Sequence, residues 1–229
     1  MESAETQDLV VMNAITVLLA EDHQIVREGL RTLLSHEPGI EVVGEAGTGR
    51  QALDLVRKLK PAIVVMDIAM PRLNGLEATR QIRKEFPDVK VLILSAHNDD
   101  AYVDEISEIG AAGFLLKQTS ARDLAEAIRQ ISKGQTFFSA AIGRRLRRPD
   151  RKSTKKGNRL SPRELEVLQL IAEGKSNKQV ADELGVRFKT VDKHRQRLMS
   201  KLDLHDVAGL TRYAIAEGII ECRVRMIVA

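Results

Sequence analysis

Apolar residues in the first half of the chain gather into five short runs: ITVLLA (15–20), IEVVGEA (40–46), AIVVMD (62–67), VKVLILSA (89–96) and GFLL (113–116). Three are apolar almost throughout, as expected of strands covered on both faces. Between the runs the spacing becomes helical. Val26, Leu30, Leu33 and Leu34 form one apolar face, Ala52, Leu55, Val56 and Leu59 another, and Leu124, Ala127, Ile128 and Ile131 a third. Thr48-x-x-Gln51, Asn74-x-x-Glu77 and Ser120-x-x-Asp123 have the spacing of capping boxes, which satisfy the free N–H groups of a first helical turn. Strand alternating with helix predicts an α/β fold, a parallel sheet with helices on both faces.

From Leu160 the alternation stops. Ser161-Pro162-Arg163-Glu164 opens a helix whose apolar face is Leu165, Leu168 and Ile171 or Ala172, and Gly174 ends it. Ser176 to Gln179 opens a second helix with Val180, Ala181 and Leu184 inward, ended by Gly185. A third runs from about Phe188 to Leu202 and a fourth from about Asp206 to Glu217. Two short helices joined by a tight Gly-containing turn predict a helix-turn-helix. The expected division is 14–134 for the α/β domain, 135–159 for a linker and 160–221 for a small all-α domain.

Charge sharpens this division. Residues 1–143 hold 15 basic and 21 acidic side chains, 144–159 hold nine basic against Asp150 alone, and 160–229 hold 12 basic and 10 acidic. The strap RRLRRPDRKSTKKGNR reads as a solvated linker that also attracts polyanions. No apolar run approaches the roughly 18 residues a bilayer span needs, so no membrane partner is expected. The N-terminal MESAETQDLVVMNA lacks a signal-peptide pattern, and Cys222 is the single cysteine, so a cytoplasmic protein without an intrachain disulfide is expected.

In parallel sheets, ligands sit beyond the carboxyl ends of the strands. Glu21 and Asp22 follow the first run, Asp67 ends the third, Ser95 lies at the end of the fourth and Lys117 follows the fifth. Each alone is commonplace; a strand-end Asp is usually a turn or cap residue. Together they describe one rim carrying three carboxylates, a hydroxyl and an ammonium. Such carboxylates repel one another, so a divalent cation is expected, and oxygen donors suit Mg²⁺. With its charge screened by the cation and Lys117, Asp67 can attack a phosphoryl group and become an aspartyl phosphate, with Ser95 bonding a phosphate oxygen. Pro71, Asn74 and Gly75 fit a turn into the next helix.

In the third C-terminal helix, Lys189, Asp192, Lys193 and Gln196 recur at spacings of three and four, opposite Val191, Leu198 and Leu202. Such a face can enter the major groove of double-stranded DNA, where Lys reads guanine, Gln adenine and Asp cytosine. Thr190 and Arg197 are better placed for phosphates. The bland alternative is a solvated helix face.

AEDH, DIAMPRLNG, LSA and GFLLK, in this order, resemble the receiver domain of bacterial response regulators. LSPRELEVLQLIAEGKSNKQVADELGVRFKTVDKHRQRLMSKL resembles the LuxR-type DNA-binding domain of NarL/FixJ regulators. The first resemblance implies a flavodoxin-like, doubly wound sheet of five strands. It implies that Asp67 accepts phosphate from a sensor histidine kinase. It also implies that Asp22 and Asp67 bind Mg²⁺ directly, with Glu21 acting through water and the Ala69 carbonyl as a further ligand. Ser95 and Phe114 match the family's switch positions, Phe114 without the hydroxyl of the common Tyr. Gln118 stands where many relatives have Pro, which leaves the isomer of the Lys117–Gln118 peptide open. The second resemblance places base contacts near Asp192, Lys193 and Gln196. It implies a homodimer on two half-sites, with the Asp206–Glu217 helix (Val207, Leu210, Ile215) as dimer surface or as domain core, and RNA polymerase as a further partner. Arg187 stands where relatives commonly have a capping Ser or Thr, which removes about 1 kcal/mol of capping. No role is assigned to His97, beyond a hypothetical effect on phosphate hydrolysis, or to ECRVRMIVA.

The expected function is a transcriptional response regulator, not an enzyme, with at most slow self-dephosphorylation. Two rivals stand beside it. A haloacid-dehalogenase-like phosphatase also uses a strand-end Asp, but carries an acid/base Asp two residues later, where this chain has Ala69. A constitutive DNA-binding protein with a degenerate receiver conflicts with the intact Glu21, Asp22 and Lys117.

Overall fold

The computed structural model describes residues 14–95, 106, 108–138 and 160–220. His97, the basic stretch 144–159 and the terminal ECRVRMIVA with Cys222 lie outside the described residues. The first domain is built on β1 (Ile15–Ala20), β2 (Ile40–Ala46), β3 (Ile63–Asp67), β4 (Lys90–Ser95) and β5 (Gly113–Leu116). All pair in parallel, in the order β2-β1-β3-β4-β5. The order reverses beside β1 and β3, and Ala20 pairs with Met66, so Glu21 and Asp67 emerge side by side at this switch point.

Alternate side chains of each strand feed two apolar layers. Leu18, Ala20, Val64, Met66 and Ile93 pack with Ala52 and Val56 of α2 (Gly49–Leu59) and Ala78 and Ile82 of α3 (Gly75–Glu85). Val17, Leu19, Ile63, Val65, Leu92 and Leu94 pack with Leu34 of α1 (Gln24–Ser35) and Leu124, Ile128 and Ile131 of α4 (Ala121–Ser132). The helix faces expected on α2 and α4 are largely those buried, although Leu59 stays exposed. On α1 the expectation fails: Leu34 is fully buried, but Val26 and Leu33 remain 37% and 46% exposed. α1 packs chiefly on β2, an edge strand, so only part of its apolar stripe is covered.

The second domain holds α5 (Pro162–Ala172), α6 (Asn177–Leu184), α7 (Phe188–Leu202) and α8 (Val207–Ala216). Its core joins Val167, Leu168 and Ile171 to Val180, Val191, Leu198, Leu210 and Ala214. Leu210 is therefore core, whereas Val207 and Ile215 are exposed on α8. Ser161 and Ser176 form complete capping boxes with Glu164 and Gln179. Gly185, at φ +62°, closes α6 in the left-handed region and turns the chain into α7. Arg187 precedes α7 without a side-chain cap bond, as expected of a residue with no acceptor.

At Thr48, Asn74 and Ser120 the cap side chain accepts the expected N–H, from Gln51, Glu77 and Asp123 respectively. The reciprocal half of the box goes elsewhere. Gln51 accepts from Gly47 N–H, and Glu77 pairs with Arg80 and Gln81. The Asn74 N–H is taken by Gln169 of α5, a residue of the other domain. No cis peptide bond occurs among the described residues, so Lys117–Gln118 is trans.

Candidate phosphoacceptor and DNA-reading sites

The first site is made by strand ends. Asp67 is the last residue of β3 and 2% exposed, and Glu21, just past β1, is 1% exposed. Burying carboxylates without compensation is costly. Lys117, just past β5, supplies compensation, its Nζ lying 2.8 Å from Glu21 Oε2 and 3.1 Å from Asp67 Oδ1. Burial pulls the Lys117 pKa down, but the charges of Asp67 and Glu21 outweigh it and hold the ammonium above its ordinary value. β5 reaches this rim because the Lys117 N–H donates to the Ser95 carbonyl at 2.7 Å.

His23 enlarges the cluster, its Nδ1 lying 3.1 Å from Glu21 Oε1 and 2.9 Å from Asp22 Oδ1. Donor atoms of Glu21, Asp22 and His23 all lie within 4.8 Å of one another. Three carboxylates against one ammonium leave the pocket negative, and the oxygen donors fit a hard divalent cation. Arg27 braces the same corner, donating to the Glu21 carbonyl at 2.6 Å and pairing with Glu45 at 3.2 Å. Sequence reasoning assigned no role to His23 or Arg27. Ser95 ends β4 at 4% exposure and Phe114 lies in β5 at 4% exposure, whereas Ala69 follows β3 in the loop.

That loop is tightly tied. The Gly75 N–H donates to the Ile68 carbonyl at 2.7 Å, and a Cβ on Gly75 would lie 1.8 Å from the Asp67 carbonyl oxygen. Only glycine lets α3 begin this close to the strand end. Arg72 sits in the left-handed region at φ +68°. Residues of α5 and α6 grip the loop from outside. Gln169 Nε2 donates to the Met70 carbonyl and Gln169 Oε1 accepts from Asn74 N–H, both at 2.8 Å. The Arg72 N–H donates to Glu173 Oε1 at 3.0 Å, and its guanidinium lies 3.6 Å from Glu183. Glu166 receives Gln81 at 3.0 Å and faces Arg50 at 3.4 Å. Sequence reasoning missed this interface; its visible trace is Gln169, the polar residue inside the apolar run VLQLIA.

The second site lies on α7. Val191 and Leu198 are fully buried and Leu202 partly so, while Lys189, Lys193, Gln196 and Arg197 are exposed. Thr190 and Asp192 are half-buried, and Gln196 Nε2 donates to Asp192 Oδ2 at 3.1 Å. His194 is half-buried; burial, then the charge of Arg163, lowers its pKa and favours the neutral ring. Lys201 reaches Glu164 at 2.6 Å and ties α7 to the start of α5. Burial pushes the Glu164 carboxyl up, but its bonds from Lys201 and Ser161 prevail and hold it below its ordinary value.

The profile of the response regulator receiver domain matches residues 17–129. That of the bacterial regulatory proteins of the luxR family matches residues 158–214. The response regulator protein VraR of Staphylococcus aureus is 37% identical over 207 residues, 90% of this chain and 99% of that protein. Among solved structures, the RcsB response regulator of Salmonella typhimurium aligns with a TM-score of 0.55 at 29% identity, over 90% of this chain and all of that one. A structure of an RcsB–DNA complex aligns with the same TM-score and identity over 88% of this chain and 98% of that one. Among the described residues no helix is long and apolar enough to cross a membrane.

Proposed function

Because this chain belongs to the two-component response regulators that join a receiver to a LuxR-type DNA-binding domain, and is a DNA-binding transcriptional regulator rather than a classical enzyme, we propose that phosphorylation of Asp67 by a sensor histidine kinase switches it. The observation that carries this reading is Lys117 bridging Glu21 and Asp67 across three strand ends. An Asp67 carboxylate oxygen forms the new bond to phosphorus as the bond from phosphorus to the kinase imidazole breaks, and the imidazole leaves with the electron pair. Asp22, Asp67 and the Ala69 carbonyl, with Glu21 acting through water, would hold Mg²⁺, which would supply charge neutralisation at the phosphoryl oxygens. The Lys117 ammonium faces those oxygens as a fixed counter-charge. The Ser95 hydroxyl donates to one of them, and that surface, with Phe114, shifts the receiver between two states. Ala69 offers no acid or base, so self-dephosphorylation is slow.

On DNA, Lys193, Gln196 and Asp192 meet base edges in the major groove, while Lys189, Thr190 and Arg197 meet phosphates and set register. Two copies occupy two half-sites, in the cytoplasm, where RNA polymerase can be engaged. The RcsB–DNA complex, found for a relative aligned over most of the chain, supports the DNA reading.

Incubation with acetyl phosphate and Mg²⁺ followed by mass spectrometry should map one base- and hydroxylamine-labile phosphate to Asp67. Asp67→Asn should show none and should lose the gain in DNA affinity that phosphorylation gives. Identical DNA binding by phosphorylated wild type and Asp67→Asn would instead mark a constitutive DNA-binding protein.

A further inference from the structure

Phe188 has no place in the core. The other four phenylalanines pack into the receiver: Phe114 is buried there, and Phe86, Phe137 and Phe138 lie against its two apolar layers. Phe188 opens α7 and is 54% exposed, the one aromatic among the large exposed hydrophobics of the described residues. Val186 packs against the core and Val191 lies within it, so the chain turns Phe188 outward between two inward residues. We infer that Phe188 reads thymine: its ring covers the 5-methyl group of a thymine in the major groove, at the N-terminal end of the row that meets base edges. The inference rests on the DNA reading proposed above and adds to it a residue and a base.

A single exposed apolar side chain is ordinary on a protein surface. The company Phe188 keeps is not. Arg187 and Lys189 flank it, both exposed, and the first turn of α7 holds no acidic residue. Positive charge at a helix N-terminus works against the macrodipole, and Arg187 supplies no cap bond. Stability therefore does not account for this turn: a buried place for the ring, a cap and an acidic first turn are all forgone. An apolar ring between two cations instead suits a polyanion whose phosphates stand to either side of an apolar target.

Position along the helix supplies that target. Phe188, Asp192 and Gln196 follow one another at spacings of four, so they share one ridge. Gln196 Nε2 donates to Asp192 Oδ2 at 3.1 Å, which fixes two members of the ridge relative to each other. Phe188 stands one turn nearer the N-terminus, the part of a recognition helix that meets base edges. In the major groove those edges carry donors, acceptors and one apolar group, the thymine 5-methyl. A phenyl ring cannot serve the donors and acceptors. Laid over a cytosine amine or a guanine carbonyl, it would strip water from a polar group and replace none of its hydrogen bonds. Laid over a thymine methyl, it removes apolar surface from water on both partners. The ring thus favours thymine by attraction and disfavours the other bases by uncompensated desolvation.

The test uses the full chain, incubated with acetyl phosphate and Mg²⁺, and a duplex that it selects from a random pool. Each thymine of that duplex is replaced in turn by deoxyuridine, which deletes the methyl group and keeps every hydrogen-bonding group. At one thymine in each half-site, wild type should lose about fourfold in affinity, the worth of one buried methyl group. Phe188→Ala should bind the thymine duplex about fourfold more weakly and should no longer distinguish thymine from deoxyuridine at that position. Phe188→Leu, still apolar, should keep part of the preference; it and the deoxyuridine scan of wild type keep the comparison decisive if Phe188→Ala does not fold. Wild type indifferent to methyl removal at every thymine overturns the inference. So does a Phe188→Ala protein that keeps the preference at the same thymine. An altered oligomer mass by light scattering, with that preference intact, would assign Phe188 to contact with a second copy of the chain and overturns it too. A wild type that selects no sequence from the pool overturns the DNA reading itself.

Discussion

The receiver rim and the recognition helix both gather charged side chains, but they bury them oppositely. Glu21 and Asp67 are within 2% of full burial, with Lys117 bound across them. Lys189, Lys193, Gln196 and Arg197 are exposed on α7, and that helix is held by Val191 and Leu198 on its other side. In a low-dielectric rim, the charges that do chemistry also decide whether the rim folds. On the helix, apolar residues carry stability and the exposed polar residues are those proposed to read DNA. Mutations should therefore entangle stability with function at the first site and separate them at the second.

The sharpest contrast comes from Lys117→Met. The change keeps most of the side-chain volume but leaves Glu21 and Asp67 facing each other without a counter-charge. Removing one partner of a buried pair should cost about 3 kcal/mol of receiver stability. Millimolar Mg²⁺ should return much of that loss in the variant and stabilise wild type less, because only the variant lacks a cation at the rim. Calorimetric melts with EDTA or Mg²⁺ measure both. A variant as stable as wild type in EDTA would mean that the bridge contributes little and the rim is not charge-limited.

At the other site, Lys193→Ala should leave the melting temperature unchanged, because the side chain is exposed and no ion pair of its own is seen among the described residues. Its cost should appear in DNA binding, at about 1–3 kcal/mol on the base pair it reads, with sequence choice relaxed there. Affinities for selected sites and single-base variants, measured across a salt series, test this. A uniform loss on all sequences, with the salt slope reduced by about one, would reassign Lys193 to a phosphate.

The two regions also differed in how far the sequence could be read. The rim was legible because parallel strands converge on one edge: finding the ends of five apolar runs located Glu21, Asp67, Ser95 and Lys117 in one place. The α7 faces were legible because helical spacing fixes which residues share a side. Periodicity does not say whether a neighbour covers that side. Val26 and Leu33 are apolar and correctly spaced, yet exposed, because α1 rests at the sheet edge. Nor does it show pairings between residues about a hundred positions apart. Gln169 and Glu173 meet the loop after Asp67 only because the domains dock, and the loop's left-handed Arg72 has no glycine to announce it. The Asn74 capping box failed for the same reason, since its N–H was claimed from the other domain.

The smallest expected effect lies where the two roles of α7 touch. Arg187 is exposed at the N-cap and makes no cap bond, so the first-turn N–H groups of α7 lack the acceptor that Ser or Thr gives. Arg187→Ser should raise the stability of the DNA-binding domain by about 1 kcal/mol, the usual worth of a cap. It also removes a positive charge beside the helix proposed to enter the major groove. If that charge meets a phosphate, DNA affinity should fall slightly on every sequence and the salt slope should drop by about one. Stability and binding would then move in opposite directions in a single substitution, which Lys193→Ala cannot show. A calorimetric melt paired with a salt-dependent binding curve distinguishes the cases: higher stability with unchanged binding leaves Arg187 a missing cap alone, and unchanged stability with weaker binding makes it a phosphate contact alone.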